Sequence, residues 1–259
     1  MMKKAEIRGN NIEGARTMRK VSVKFIGSII LVTIWFVNSG FFHGSGLGSQ
    51  PSNGFIQEGW KPLFDGKTGN GWKSVKRATF PDKGWMIENG NLTVLASGGG
   101  GDIITVEQYG NFELSLEFRL TAGANSGIKY LVLPNTSLGL EYQILDDERN
   151  ADAERGVQGN RTLASLYDLI PAENNKVNPI GEWNHARILV HGNHVEHWLN
   201  EMKVVEYERS TQIFRSLIAK SKYKDIQNFG ILPKGHILLQ DHGDEVSFRN
   251  IKIRTFEDR

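Results

Sequence analysis

The chain has no cysteine among its 259 residues. That excludes a disulfide framework, a thiol nucleophile, a Cys-ligated zinc or iron–sulfur centre and a lipid anchor on a processed N-terminal cysteine. An excess of one charge sign is also missing: 31 Lys and Arg stand against 29 Asp and Glu. Part of the basic surplus lies before residue 25, so the body is close to neutral and offers no electrostatic footprint for nucleic acid. Helical periodicity is scarce, confined to residues 211–222, where Phe214, Leu217 and Ile218 fall on one face. The glycine-rich stretch Ser97-Gly-Gly-Gly-Gly-Asp102 lacks the following Lys-Ser/Thr and helix of a phosphate loop, so no nucleotide cofactor is expected and the stretch reads as a turn. Internal repeats of fixed period are absent.

The one long apolar run, Phe25 to Val37, is shorter than the roughly 20 residues a membrane span needs. Arg19, Lys20 and Lys24 precede it and small or polar residues follow, which is the layout of a secretory signal. The expected organisation is a signal segment over 1–37, a Gly/Ser-rich linker over 38–54 and one domain over 55–259. The protein is then exported, periplasmic or extracellular, and meets a membrane only if the signal segment stays uncleaved.

Strand patterning fills the rest. In Phe112-Glu-Leu-Ser-Leu-Glu-Phe-Arg-Leu120 the apolar side chains share one face and Glu113, Ser115, Glu117 and Arg119 the other. Trp85 to Leu95 reads as two short strands around an Asn89-Gly90 turn. Further strands are expected at 127–133, 140–145, 183–190, 194–199, 203–207, 235–240 and 246–254, closely punctuated by turn residues. The pattern is all-β, a sandwich or barrel with one or two short helices. Residues 146–182 form a polar connection of the length that usually carries function.

Several polar groups invite a chemical role. Glu141 and Gln143 share a strand face, with Asp146 at the strand end; a carboxylate beside an amide suits sugar hydroxyls, a metal ion or a base. Gln240-Asp241-His242-Gly243 puts a histidine beside an acid at a strand end, a base with its orienter or a hydrogen-bonded turn. His191, His194 and His197 form a triplet, but residues 194 and 197 of one strand face opposite ways, which argues against a metal site. Glu113 and Glu117 are the one pair resembling a glucanase-type acid set, and with Arg119 alongside they read as a charged face.

A set of motifs in order is similar to a known family. Gly59-Trp-Lys-Pro-Leu-Phe-Asp-Gly-Lys67 with Gly71-Trp72 opens it. Asn125-Ser-Gly-Ile128, Glu141-Tyr-Gln-Ile-Leu-Asp146, Leu166-Tyr-Asp168 and Gly181-Glu-Trp-Asn184 follow. Trp198-Leu-Asn200, Leu239-Gln-Asp-His-Gly243 and Phe248-Arg-Asn-Ile251 complete it. The chain thus resembles the 3-keto-disaccharide hydrolases, or 3-keto-glucoside lyase/hydratases (the DUF1080 family), over about residues 55–256. One departure is Asn200-Glu201, where the family has Asn-Gly.

The resemblance implies a concanavalin A-like (laminin G-like) jelly-roll sandwich acting on small oligosaccharides or glycosides already oxidised at C3. The ketone acidifies the C2 proton. A base removes it, charge moves to the C3 oxygen, and the C1 substituent leaves; water can then add back. Such a site needs a base near C2, a cation or donor at the C3 oxygen and an acid for the leaving oxygen. On this reading His242 is the leading base, with Asp241 or another acid orienting it. Glu141 is the rival base, or a metal ligand beside Gln143. Lys129 and Arg119 stabilise the enediolate, and Asn125, Tyr167 and Trp183 hold or stack on the sugar, with Gln143 and Asp146 alongside. A divalent metal ion would suit the enediolate as a Lewis acid. The competing reading is a carbohydrate-binding module on the same fold, without turnover.

Overall fold

A computed structural model describes residues 59–174 and 176–257. The signal segment and linker read from the sequence lie outside the described residues. The strands are β1 (Lys61–Pro62), β2 (Trp72–Ser74), β3 (Trp85–Glu88), β4 (Asn91–Val94), β5 (Ile103–Thr105), β6 (Phe112–Leu120), β7 (Asn125–Val132), β8 (Leu140–Leu145), β9 (Trp183–His191), β10 (His194–Leu199), β11 (Met202–Glu208), β12 (His236–Leu239) and β13 (Val246–Thr255). Among the described residues one helix, α1 (Gln212–Lys220), and a 3-10 turn (Ala151–Arg155) interrupt them.

All strand pairs are antiparallel and form two sheets. The larger runs β11-β10-β9-β6-β13-β4-β3, with β1 also against β13. The smaller runs β2-β5-β12-β7-β8. This is the jelly-roll sandwich that the family resemblance implies, and the sandwich of the two all-β forms that the strand pattern left open. The alternation read for 112–120 is β6 itself, and the Asn89-Gly90 turn joins β3 to β4 with both residues at positive φ. Thr211 caps α1, its side chain accepting from the Phe214 amide at 3.1 Å. Three short strands, β1, β2 and β5, are too brief for a period to show in the sequence.

The core lies between the inner faces: Leu114, Leu116 and Phe118 of β6 and Phe248 of β13 against Ile128 and Tyr130 of β7 and Tyr142 and Ile144 of β8. Each such side chain stabilises the fold by about 1.5–3 kcal/mol relative to exposure. His197 is also inside. Tyr130 donates to its Nε2 at 2.8 Å, and its Nδ1 donates to the Ala164 carbonyl at 3.0 Å. Burial holds its pKa down at about 4. His191 packs edge-on against Phe256 and His194 sits among Glu196, Glu206 and Glu208, so the triplet separates over three environments.

The 146–182 connection closes the β8 edge. The Ala164 and Tyr167 amides donate to the Gln143 and Glu141 carbonyls at 2.8 and 3.0 Å, and the Gln143 amide donates to the Ser165 carbonyl at 3.1 Å. An otherwise open edge is thereby paired, and the loop is fixed beside the side chains β8 sends outward.

Candidate functional site on the outer face of the smaller sheet

Strand register decides which groups share a face. Lys129 stands opposite Glu141, and Gly127 opposite Gln143. Leu238 pairs with Lys129, and the Gln240 amide continues the ladder by donating to the Gly127 carbonyl at 3.0 Å. Asn125, Lys129, Glu141, Gln143 and Gln240 therefore project from one side, away from the core.

Glu141 is 4% exposed and Lys129 8%. The Lys129 ammonium lies 3.6 Å from the Glu141 carboxylate and donates to the Ser137 carbonyl at 3.2 Å. Burial raises the Glu141 pKa, against the pull of Lys129 and Lys222. Gly127 makes room for this carboxylate: a Cβ there would collide with the Glu141 side chain, whose Cγ would stand 3.2 Å away. The Gln143 amide donates to Asn125 Oδ1 at 3.4 Å, while Gln143 Oε1 and Gln240 Oε1 are buried acceptors without a protein donor. Buried acceptors normally find a partner, so these two mark a place for a donor such as a hydroxyl.

The connection and the residues after α1 supply the wall. Tyr167 donates its hydroxyl to Asp152 at 2.8 Å, and Arg161 bonds Asp168 and Asp152 at 2.7 and 3.2 Å. Asp168 also accepts from the Lys222 amide at 2.8 Å. This sets the Lys222 ammonium 4.0 Å from the Tyr167 ring centroid and 5.0 Å from that of Tyr223. Desolvation lowers the Lys222 pKa. The sequence reading missed Lys222; its one signal was a lysine beside an aromatic just past the helix end.

A recess of about 460 Å3, lined by residues 74–77, 99–102 and Ser137, adjoins this face through Ser137, which Lys129 touches, and through Asp102, whose charge reaches Glu141. The glycine-rich loop is packed rather than free. A Cβ on Gly100 would meet the Lys83 carbonyl at 2.5 Å and one on Gly98 the Gly84 Cα at 2.6 Å. Close backbone approach is what demands glycine here. A larger recess, about 800 Å3, lies between α1, β11 and residues 157–171; its lining surface is mostly apolar, with Phe214, Leu217, Ile170 and Pro171.

Four residues selected from the sequence take other places. Arg119 and Trp183 pair across β6 and β9 on the outer face of the larger sheet, where Arg119 and Arg249 lie 4.9 and 4.0 Å from the Trp183 ring centroid. Alternation told inside from outside but not which sheet. Asp146 braces its own turn through the Gly123 and Glu148 amides and Arg149; against the upward push of burial, the Gly123 amide and Arg149 hold its pKa down. Asp241 accepts from the Gly101 and Gly243 amides at 2.7 and 3.0 Å, so its carboxylate braces loops instead of orienting His242. His242 is exposed just beyond Gln240 and makes no side-chain hydrogen bond among the described residues.

The residues present do not assemble a ready divalent-metal site on this face. Among the described residues, the one set of three His, Asp or Glu ligand atoms within metal-holding distance is His194, Glu196 and Glu206 on the larger sheet, where Lys203 already lies 3.2 and 2.6 Å from the two carboxylates. Glu113 bonds Arg187 and Arg254, and Glu117 bonds Arg249 and Asn250, so the glucanase-like pair is tied up in ion pairs.

The proteins that share this jelly-roll sandwich and most resemble the chain in sequence are carbohydrate-active. Residues 59–254 match the model of the 3-keto-alpha-glucoside-1,2-lyase-like domain, and the chain belongs to that family. It is 37% identical to a 3-keto-disaccharide hydrolase of Bacteroides thetaiotaomicron, over 77% of this chain and 79% of the relative. A crystal structure from Parabacteroides distasonis ATCC 8503, described as a candidate glycosyl hydrolase, matches with a TM-score of 0.70 at 31% identity over 77% of this chain and 95% of the other. A second such structure from the same organism gives 0.58 at 29% identity, over 76% and 99%.

Proposed function

We propose that the protein is an exported enzyme that cleaves 3-keto-glycosides by removing the C2 proton and expelling the C1 substituent, with or without return of water. The observation that carries this reading is the convergence of Glu141, Lys129, Gln143 and Gln240 on one face. A buried carboxylate whose pKa is raised by desolvation is a stronger base than an ordinary surface carboxylate. Amide oxygens lacking donors suit the remaining hydroxyls.

In this scheme Glu141 takes the C2 proton, held in place by Lys129 and by the absence of a Cβ at residue 127. The former C–H pair becomes the C2–C3 double bond and charge gathers on the C3 oxygen. When the ketone re-forms, C1–C2 becomes the double bond and the C1–O bond breaks. The departing oxygen takes a proton, for which exposed His242 is the candidate. Ordinary glycosidases instead place two carboxylates about the scissile bond, and the carboxylates suggestive of that here are closed into arginine pairs.

The test is release of aglycone from a 3-keto-glucoside and from its unoxidised parent, with and without EDTA. Release from the keto substrate alone is expected, and loss with EDTA would add a divalent ion to the scheme. Absence of release from a panel of keto substrates, with measurable glycan binding, would establish the binding-module reading instead.

A further inference from the structure

Enediolate chemistry needs a cation that is not already spoken for. The sequence offered Lys129 and Arg119. Lys129 is engaged by Glu141 and the Ser137 carbonyl, and Arg119 lies on the other sheet. Lys222 differs from both. Its backbone is anchored by Asp168, its ammonium rests over Tyr167, and among the described residues no carboxylate lies within ion-pair distance of Nζ. Tyr167 is in turn tied to the Glu141 carbonyl through its amide. The ammonium is partly covered by the Tyr167 and Tyr223 rings while the residue as a whole still reaches solvent, so a ligand can approach it. An aromatic face holds an ammonium in position without neutralising it, because the ring carries no net charge.

We propose that Lys222 is a catalytic residue, the cation that binds the C3 oxygen of a 3-keto sugar and the enediolate formed from it. This rests on the proposed function of the site. The charged and titratable groups facing Lys222 are Glu141 and Lys129 from the sheet, Asp168, Arg161 and Tyr167 from the connection, and Tyr223 beside it. As Glu141 takes the C2 proton, the electron pair moves toward the C3 oxygen, and the negative charge is met by the Lys222 ammonium. No proton need pass to the oxygen, and the charge leaves again when the ketone re-forms and the C1–O bond breaks. Removing one such stabilising group typically costs about 10^2–10^3 in rate.

The experiment compares wild type, Lys222→Met and Lys222→Arg on a 3-keto-glucoside in D2O, following deuterium entry at C2 and aglycone release. Lys222→Met is expected to slow both together by about 10^2–10^3 with an unchanged melting temperature. Lys222→Arg is expected to recover part of the rate. It should also remove the alkaline limb of the kcat/KM profile, which in wild type falls below the ordinary lysine range because Lys222 is desolvated. Unchanged exchange in Lys222→Met, whether release falls or not, overturns the assignment. So does an alkaline limb that is the same in all three proteins. A wild type that neither exchanges nor releases refutes the reading of the site itself, a result distinct from loss only in the variants.

Discussion

The outer faces of the two sheets are both polar, yet they are finished differently. On the larger sheet Glu113, 3% exposed, accepts from Arg187 at 2.8 Å and Arg254 at 2.6 Å, and Glu117 accepts from Arg249 and Asn250. Charge there is closed by charge-assisted hydrogen bonds on both oxygens of each carboxylate. On the smaller sheet Glu141 has one lysine at 3.6 Å, two amide oxygens have no donor, and a lysine lies over aromatic rings without a carboxylate. A saturated face holds a structure together. An unsaturated one keeps its polar groups for something that arrives.

Exchanging the acids breaks the comparison most sharply. Glu141→Gln removes the base and is expected to lower kcat by about 10^3. It should also remove a stability cost: a carboxyl with a raised pKa favours the fold below its unfolded value, and that contribution is lost as pH rises through the folded one. The variant should therefore be at least as stable as wild type at neutral pH. Glu113→Gln should do the opposite, costing about 2 kcal/mol of stability while kcat stays within about twofold. The cost is below that of a fully buried pair because its arginines are partly exposed. Denaturant titration and steady-state kinetics on both variants decide the matter.

Gly127→Ala sharpens the same point from the backbone side. It pushes the Glu141 side chain off its place without removing it, and kcat should drop by about 10^2 because a displacement of about 1 Å is enough. On the core side of the same loop, and without bearing on kcat, lies His197. Its folded pKa of about 4 against an ordinary 6.5 means that stability is full above 6.5 and is lost as pH falls through about 4, by about 3 kcal/mol. In His197→Gln the pH dependence over that interval should flatten. The smallest effect is at the β10–β11 turn, where Asn200 and Glu201 both have positive φ. Glu201→Gly should raise stability by about 1 kcal/mol, set against the lost 2.7 Å contact to His185; the midpoint of chemical unfolding reads it out.

Much of the fold was legible because period-two alternation is a local property. The faces of β6 and the turn after β3 needed only neighbours in sequence. Glu141 and Gln143 were legible as sharing a strand face, and Lys129 and Asn125 through the ordered motifs. What local pattern does not carry is which sheet an outward residue belongs to, hence Arg119 and Trp183. It does not say whether an acid is held by backbone amides, hence Asp146 and Asp241. Lys222 was hidden for a third reason: its position depends on Asp168, 54 residues earlier, and on the ring of Tyr167.

The central claim is that the unsaturated face of the smaller sheet receives the sugar. A crystal structure of Glu141→Gln with a 3-keto-glucoside tests it most directly. The account predicts the ring over Gly127, with hydroxyls within hydrogen-bond distance of Gln143 Oε1 and Gln240 Oε1 and the C3 oxygen at Lys222. A sugar bound instead over Glu113 and Trp183 on the larger sheet would contradict it.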